Sequence, residues 1–208
     1  MDEEPYWGSS RMVRVGISVE GLTEERFIKI LIDPYLSSKG IYVTPVSIDG
    51  SVSIDRIRHE LKNLIHSFDY VSTFYDFYGF RRKDDGETKL TLEAKINESV
   101  KVDLRKKVIP YIQMYEFEGL LFSSPDAMAS VLQGESLIDW ANLILKEHSN
   151  NPEKINDSIE TAPSKRLDKA TNYRKTTHGP NIAKEIGLVR IREMCSGFNE
   201  WLSKLEEL

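Results

Sequence analysis

Four acidic residues close to the ends of predicted strands are the residues of this chain whose types and spacing could do chemistry. Glu116 and Glu118 follow the apolar run 108–114, while Glu20 and Asp76 each come directly after another short apolar run. If a strand continues through the pair, alternation places Glu116 and Glu118 on the same side. Carboxylate oxygens are typical ligands of Mg²⁺ and Mn²⁺, and such an ion polarises a phosphoryl oxygen and activates water. The acids therefore predict a divalent metal site suited to phosphodiester hydrolysis.

Each acid also has an ordinary structural explanation. Glu20 could cap the following helix or pair with a lysine, and Asp76 could form a turn. Glu116 and Glu118 could occupy the first turn of a helix that begins near Tyr115, where acids offset the helix dipole. The occurrence of acids at three predicted strand ends favours the metal site, because the carboxyl ends of parallel strands meet at one edge of a sheet.

Basic side chains that could bind phosphate occur in two segments. Arginine offers phosphate a planar fork of donors, and lysine offers a point charge. A solvated loop or helix face is the alternative for both segments, and the histidine among these residues is equally explained as a turn residue. The predicted phosphate-binding residues are Arg81, Arg82, Lys165, Arg166, Lys175 and His178.

Composition limits the class of protein. The chain has 208 residues, a net charge of −5 and one cysteine, Cys195, so a disulfide framework within the chain and a cysteine zinc site are excluded. Neither an apolar run long enough to span a membrane nor a signal-peptide pattern is found, which predicts a cytoplasmic protein with no membrane partner. The net charge gives no general attraction to nucleic acid, so a phosphate-binding surface must be local.

The elements that must position the acids alternate between strand and helix over the first 122 residues. This alternation predicts an α/β fold with a mostly parallel four-stranded sheet flanked by helices. Beyond residue 122 no further strand is indicated, so we expect an α/β domain over 12–122 and a helical C-terminal extension over 123–208 that packs on it. The predicted strands are 13–19, 42–48, 70–75 and 108–114, and the predicted helices between them are 24–38, 53–68 and 91–107.

Five ordered motifs give the chain a family resemblance. They are VEGLTE at 19–24, DFYG at 76–79, EFEGLLF at 116–122, APSKR at 162–166, and a pattern from Ile191 to Leu202. Over about residues 14–205 the chain resembles the domain of unknown function 4276 family, which is similar to Toprim-fold nucleases of the overcoming-lysogenization-defect type. The resemblance implies a Toprim-like Rossmannoid fold and a Mg²⁺- or Mn²⁺-dependent nuclease of DNA or RNA. It also implies an effector that works beside a neighbouring AAA- or ABC-type ATPase in anti-phage defence, with the oligomeric state left open.

The resemblance also implies roles for single residues. Glu20 matches the acid after the first strand, a metal contact and general acid or base, and Asp76 matches the first acid of an Asp-x-Asp motif. The second acid of that motif is replaced here by Tyr78, and Tyr115 stands where many relatives are expected to have histidine. Either glutamate of the pair could replace the missing acid, and Glu118 is the preferred candidate.

These observations leave two main functions open, and a third option, another phosphoryl-transfer enzyme such as a phosphatase, keeps the same acids and changes only the substrate. In a nuclease, the expected catalytic residues are Glu20, Asp76, Glu118 and Lys165, and the expected metal ligands are Glu20, Asp76, Glu116 and Glu118. The alternative is a non-catalytic Toprim-like binding or regulatory subunit of an ATPase complex, in which the acids are structural and the helical third is a docking surface.

Overall fold

A sheet of short parallel strands lies at the centre of the molecule. The computed structural model describes residues 12–156 and 158–208. In this part of the chain the strand order is β2-β1-β3-β4, with β5 also paired to β3, and every pairing is parallel. All the carboxyl ends therefore lie at one edge. The strands are β1 Val13–Val19, β2 Ile41–Ser47, β3 Tyr70–Asp76, β4 Val108–Ile109 and β5 Ile112–Gln113.

Helices cover both faces of this sheet. Alternation along β3 places Phe74 in one apolar cluster and Val71 and Tyr75 in another, because successive side chains point to opposite faces. The first cluster includes residues of α1 and of the C-terminal helices, and the second includes residues of α3 and α4. The helices of the first half are α1 Leu22–Phe27, α2 Asp33–Ser37, α3 Ile54–Leu64 and α4 Lys89–Glu98, with a π-helical segment Ile28–Ile32 joining α1 to α2.

The predicted fold class is confirmed, but two predicted elements are wrong in detail. The helix expected over 91–107 ends at Glu98, and a separate 3₁₀ turn, Val102–Lys107, follows it. The strand expected over 108–114 is divided at Pro110, which has no N–H to donate to a neighbouring strand.

Side chains of β3 satisfy the backbone at this division. Ser72 Oγ donates to the Ile109 carbonyl at 2.6 Å. Thr73 Oγ1 donates to the Tyr111 carbonyl and accepts from the Tyr111 N–H, each at 2.9 Å. Because these hydroxyls replace missing ladder bonds, the chain can turn at Pro110 without leaving buried backbone groups unpaired.

The C-terminal third packs on the face of the sheet that carries Phe74. Leu202 of α10 lies in the same apolar cluster as Val15 of β1, and Trp201 Nε1 donates to Ser72 Oγ at 2.9 Å. The boundary predicted at residue 122 stays a prediction. None of the helices in the described ranges is long and apolar enough to cross a membrane. The helices are α5 Pro125–Leu132, α6 Ser136–Glu147, α7 Pro163–Ala170, α8 Lys175–Ile186, α9 Leu188–Met194 and α10 Ser196–Glu206.

Candidate functional site

One ammonium group stands among three buried carboxylates at the carboxyl edge of the sheet. Lys175 is the first residue of α8, and its Nζ lies 3.7 Å from Glu24 Oε1, 3.6 Å from Asp76 Oδ2 and 3.7 Å from Glu118 Oε1. The acid side chains are almost fully buried, whereas the Lys175 side chain is 44% exposed. Burial alone would lower the pKa of Lys175, but the three carboxylates outweigh it and raise that pKa. The group is therefore an acidic cluster held together by one cation that also reaches solvent.

Asp76 reaches the cluster because β3 extends past its pairing with β1. Val19, the last residue of β1, pairs with Phe74, and Asp76 lies two residues further along. Its Oδ1 accepts the Phe117 N–H at 2.7 Å, and its Oδ2 faces Lys175. Burial is the main cause of a raised pKa at Asp76, with Lys175 opposing the rise. Asp76 thus has one oxygen engaged by the backbone and one directed at a cation.

Glu118 is the most deeply buried acid of the cluster. It lies in the 3₁₀ helix Phe117–Ser123 and has no exposed surface. Its Oε1 accepts the Tyr173 hydroxyl at 3.2 Å, while its Oε2 is buried and has no hydrogen-bond partner among the described residues. Burial raises the pKa of Glu118 to about 7, although Lys175 acts in the opposite direction. An unpaired buried carboxylate oxygen is costly, and a cation is the partner that would satisfy it.

The prediction that Glu116 and Glu118 continue a strand is wrong. β5 ends at Gln113, and Glu116 is an extended residue directly before the 3₁₀ helix that contains Glu118. Glu116 Oε2 accepts the Ser164 N–H at 2.9 Å, in the first turn of α7. The alternative of a helix start was therefore closer to the structure, and the two acids serve different partners.

Glu20 approaches the cluster from the turn between β1 and α1, and Glu24 from the first turn of α1. Glu20 is partly exposed and lies against the 3₁₀ turn Phe77–Gly79, since a Cβ added at Gly79 would be 2.4 Å from Glu20 Oε2. Burial first, and then the charge of Glu24, raise the pKa of Glu20. Glu24 is buried, and its Oε2 accepts the Gly21 N–H at 3.2 Å.

Sequence reasoning missed Glu24 and Tyr173 as members of the cluster. Glu24 was noted only as the last residue of the VEGLTE motif, although its position four residues after Glu20 is a signal for a second acid at the same edge. Tyr173 carried no comparable signal, because its hydroxyl meets Glu118 only through the packing of the C-terminal third.

The first predicted basic segment borders the cluster. Arg81 and Arg82 are exposed, and the charge of Arg81 opposes the rise in the pKa of Glu20. Lys83 instead turns back to the chain, with Nζ donating to the Phe77 carbonyl at 3.2 Å and the Phe80 carbonyl at 2.7 Å.

The second predicted basic segment is divided by the structure. Lys175 lies among the acids, but Lys165 is exposed on α7, and no ion pair within the described residues joins Lys165 to them. Arg166 Nε donates to the Thr161 carbonyl at 2.6 Å and lines a separate groove with Trp140. His178 Nδ1 accepts the Arg174 N–H at 3.0 Å, within the first turn of α8. The basic side chain placed at the acids is therefore Lys175.

The chemistry of the cluster fits a hard cation, although its centre holds Lys175. Among the residues that the structure describes, no group of three or more His, Cys, Asp or Glu is arranged for metal binding. The available donors are nevertheless all carboxylate oxygens, the type that Mg²⁺ and Mn²⁺ prefer. The unpaired Oε2 of Glu118 offers one of them without breaking an existing hydrogen bond.

Comparisons with known proteins agree with this fold. The structure is similar to the C-terminal region of the Burkholderia pseudomallei OLD protein, with a TM-score of 0.54 and 13% identity, over 95% of this chain and 98% of that one. A likeness at this identity supports the Toprim-like α/β fold alone. No curated protein sequence matches the chain. The model of a family described as a domain of unknown function, DUF4276, matches residues 19–206 and so spans every acid of the cluster together with Lys175. The chain therefore belongs to the DUF4276 family.

Proposed function

We propose that this chain is a metal-dependent nuclease whose active site is the acidic cluster around Lys175. The observation that carries the proposal is that two buried acids, Asp76 and Glu118, direct oxygens at the same cation, Lys175. Glu24, Asp76 and Glu118 share the single positive charge of Lys175, and an excess of buried negative charge destabilises a fold, so the presence of these acids calls for a use beyond stability. Binding of a divalent ion that activates a phosphodiester is the use that an all-oxygen donor set supports best.

The residues of the cluster have separate roles in this proposal. Asp76, Glu118, Glu24 and Glu20 would hold Mg²⁺ or Mn²⁺, which when bound supplies a Lewis acid for the phosphoryl oxygen and lowers the pKa of a water molecule. Glu20 is the most exposed of the four, and its raised pKa suits a group that accepts a proton from water at neutral pH. Lys175, whose side chain reaches solvent, would turn from the acids to the scissile phosphate and stabilise its developing charge.

Nucleic acid is the phosphodiester that the comparisons favour. The fold shared with the OLD region and the resemblance to Toprim-fold nucleases support DNA or RNA as substrate. The same resemblance supports a cytoplasmic effector that acts beside a neighbouring ATPase in anti-phage defence.

The test is cleavage of DNA and RNA by purified protein in Mn²⁺, Mg²⁺ and EDTA. We expect cleavage in Mn²⁺ or Mg²⁺ and none in EDTA. The cleavage rate should fall at least about a hundredfold in Asp76→Asn and in Glu118→Gln, which is the size of loss seen when one group that stabilises the transition state is removed. Glu193→Gln is the matched control, because Glu193 is an exposed acid of α9. Cutting that survives unchanged in both cluster variants would refute the assignment.

A non-catalytic subunit of an ATPase complex is the second candidate. The observation that favours it is Lys175 itself, which already provides a counter-charge to the acids without a metal. Thermal melting during a Mg²⁺ or Mn²⁺ titration separates the two functions. Absence of any metal stabilisation, together with co-purification of a neighbouring ATPase, would favour the subunit.

A further inference from the structure

Three aromatic side chains form a patch beside the acidic cluster. Tyr78 and Tyr115 have ring centroids 5.5 Å apart, and Phe77 lies 6.2 Å from Tyr78 and 6.3 Å from Tyr115. Each of the three is only partly buried, and Phe77 also packs with part of its surface against the apolar cluster that contains Tyr75. The aromatic patch, defined as Phe77, Tyr78 and Tyr115, therefore presents ring surface to solvent.

The backbone of the aromatic patch is held in an unfavourable conformation. Tyr115 has φ of 59°, in the left-handed region that asparagine and glycine adopt more readily than an aromatic residue. Its carbonyl accepts the Tyr78 N–H at 3.0 Å, so the two loops that carry the rings are joined through this residue. A large ring at a position where a smaller residue would relieve strain indicates that the ring itself is needed.

The aromatic patch is continuous with the proposed active site. Phe77 directly follows Asp76, Tyr115 directly precedes Glu116, and the charge of Glu116 contributes to the raised pKa of Tyr78 after the larger effect of burial. The exposed Arg81 lies in the loop that follows, so positive charge is available for a phosphate backbone. Lys83 Nζ lies 4.8 Å from the centroid of the Phe77 ring.

We propose that the aromatic patch stacks an unpaired nucleobase next to the scissile phosphate, so that the substrate of this site is single-stranded nucleic acid. This inference rests on the proposed function. Bases within a duplex are stacked on each other and cannot lie on a protein ring unless they are first extruded. Proteins that bind single strands combine aromatic platforms with positive charge along the backbone, and stacking on a ring tolerates every base. The patch and Arg81 supply these two features at the edge where the acids lie.

Binding can be tested apart from cleavage. The probe is a single strand that contains 2-aminopurine, whose fluorescence is quenched when it stacks, compared with the matched duplex, both in Ca²⁺ and in EDTA. We expect tighter binding of the single strand, with quenching, and at least about a fivefold loss of its affinity in Tyr115→Asn, since one stacked base is worth that much or more. Duplex binding should not change in that variant.

The variants also separate a ring effect from a folding effect. Asparagine tolerates the left-handed conformation, so Tyr115→Asn should fold at least as stably as the natural chain. Tyr115→Phe should keep the full affinity for the single strand, whereas Tyr78→Leu should lose that affinity. Tyr42→Leu is the control, because Tyr42 is exposed on β2 and pairs in register with Arg14, towards the opposite end of the sheet.

Several outcomes would overturn the inference. Failure to bind the single strand, equal affinity for strand and duplex, or unchanged single-strand affinity in Tyr115→Asn would each do so. Cleavage of duplex that is insensitive to Tyr115→Asn would overturn the platform while leaving the nuclease intact. Single-strand binding without any cleavage would support the platform and count against the nuclease.

Discussion

Replacement of Glu118 by glutamine should stabilise the metal-free protein at alkaline pH. Burial raises the pKa of Glu118 from 4.5 to about 7. One pKa unit corresponds to 1.36 kcal/mol, so ionisation of this buried carboxyl costs the fold about 3 kcal/mol. Glutamine has nearly the shape of the protonated acid and carries no charge. The variant should therefore exceed the natural chain in free energy of unfolding by up to about 3 kcal/mol above pH 7.

The sign of this effect depends on which state binds the proton more tightly. Because the pKa of Glu118 is higher in the folded than in the unfolded chain, the folded state holds the proton between pH 4.5 and about 7. The contribution of Glu118 to the free energy of unfolding is thus largest below pH 4.5 and is lost as the pH rises to about 7. The raised pKa values of Asp76 and Glu20 act in the same direction, and burial, the main cause of both, remains in the variant. The difference between the two proteins therefore reports Glu118 together with the smaller effect of its charge on the pKa of Asp76.

Urea unfolding in EDTA, followed by tryptophan fluorescence at pH 4.5 and pH 8, measures this difference. We expect similar stability at pH 4.5 and a more stable variant at pH 8. Addition of Mg²⁺ at pH 8 should stabilise the natural chain and reverse the order, because a metal binds the deprotonated carboxylate that the variant lacks. A variant no more stable than the natural chain at pH 8, or a difference that is the same at both pH values, would refute the reasoning.

Three further perturbations test the site and its support. Lys175→Met leaves the acids without their cation and should destabilise the metal-free protein by about 1–3 kcal/mol, between the values for exposed and buried ion pairs. Urea unfolding should show this loss of stability and its recovery in Mn²⁺, and an unchanged urea midpoint would contradict it. Gly79→Ala places a Cβ 2.4 Å from Glu20 Oε2 and so should displace that carboxylate; we expect reduced cleavage with a nearly unchanged melting temperature, and full activity would count against a role for Glu20. Arg192→Met removes a bidentate ion pair that links α9 to α10, in which Nη1 and Nη2 donate to Glu206 Oε1 and Oε2 at 3.0 and 2.9 Å. The free energy of unfolding should fall by about 2–3 kcal/mol, because hydrogen bonds between charged groups are the stronger ones, and stabilisation by metal should be unchanged.

The regular elements were largely predictable because their signals are local. The alternation of β-branched residues gave 13–19 for the first strand, which is the observed β1, and the apolar spacing of α3 was equally clear. The division of the fourth strand was not predictable. Pro110 interrupts the apolar run, but the hydroxyls that make the break tolerable belong to Ser72 and Thr73 on another strand.

The positions of the acids could be predicted only where an acid directly follows a strand. Asp76 follows from the order of elements, because a parallel sheet brings the ends of β1 and β3 to one edge. Glu118 was predicted to be at the site on the assumption that it ends a strand, but it lies in a 3₁₀ helix. The role of Glu24 depends on a side-chain contact with Lys175, about 150 residues away, which no local pattern encodes.

The sequence by itself determined that several carboxylates would meet at the carboxyl edge of a parallel sheet, because the strands and helices that alternate along the chain are each marked by local patterns. Only the tertiary structure decided which cation stands among them. Lys175 arrives there through the packing of α8 against α1 and against the 3₁₀ helix Phe117–Ser123. Gly179 permits the second of these contacts, since a Cβ at that position would lie 2.8 Å from the Tyr173 hydroxyl and 3.0 Å from Phe117 Cε1. Helix packing of this kind is set by contacts between residues far apart in the chain, so the composition of the site could not be deduced from spacing alone.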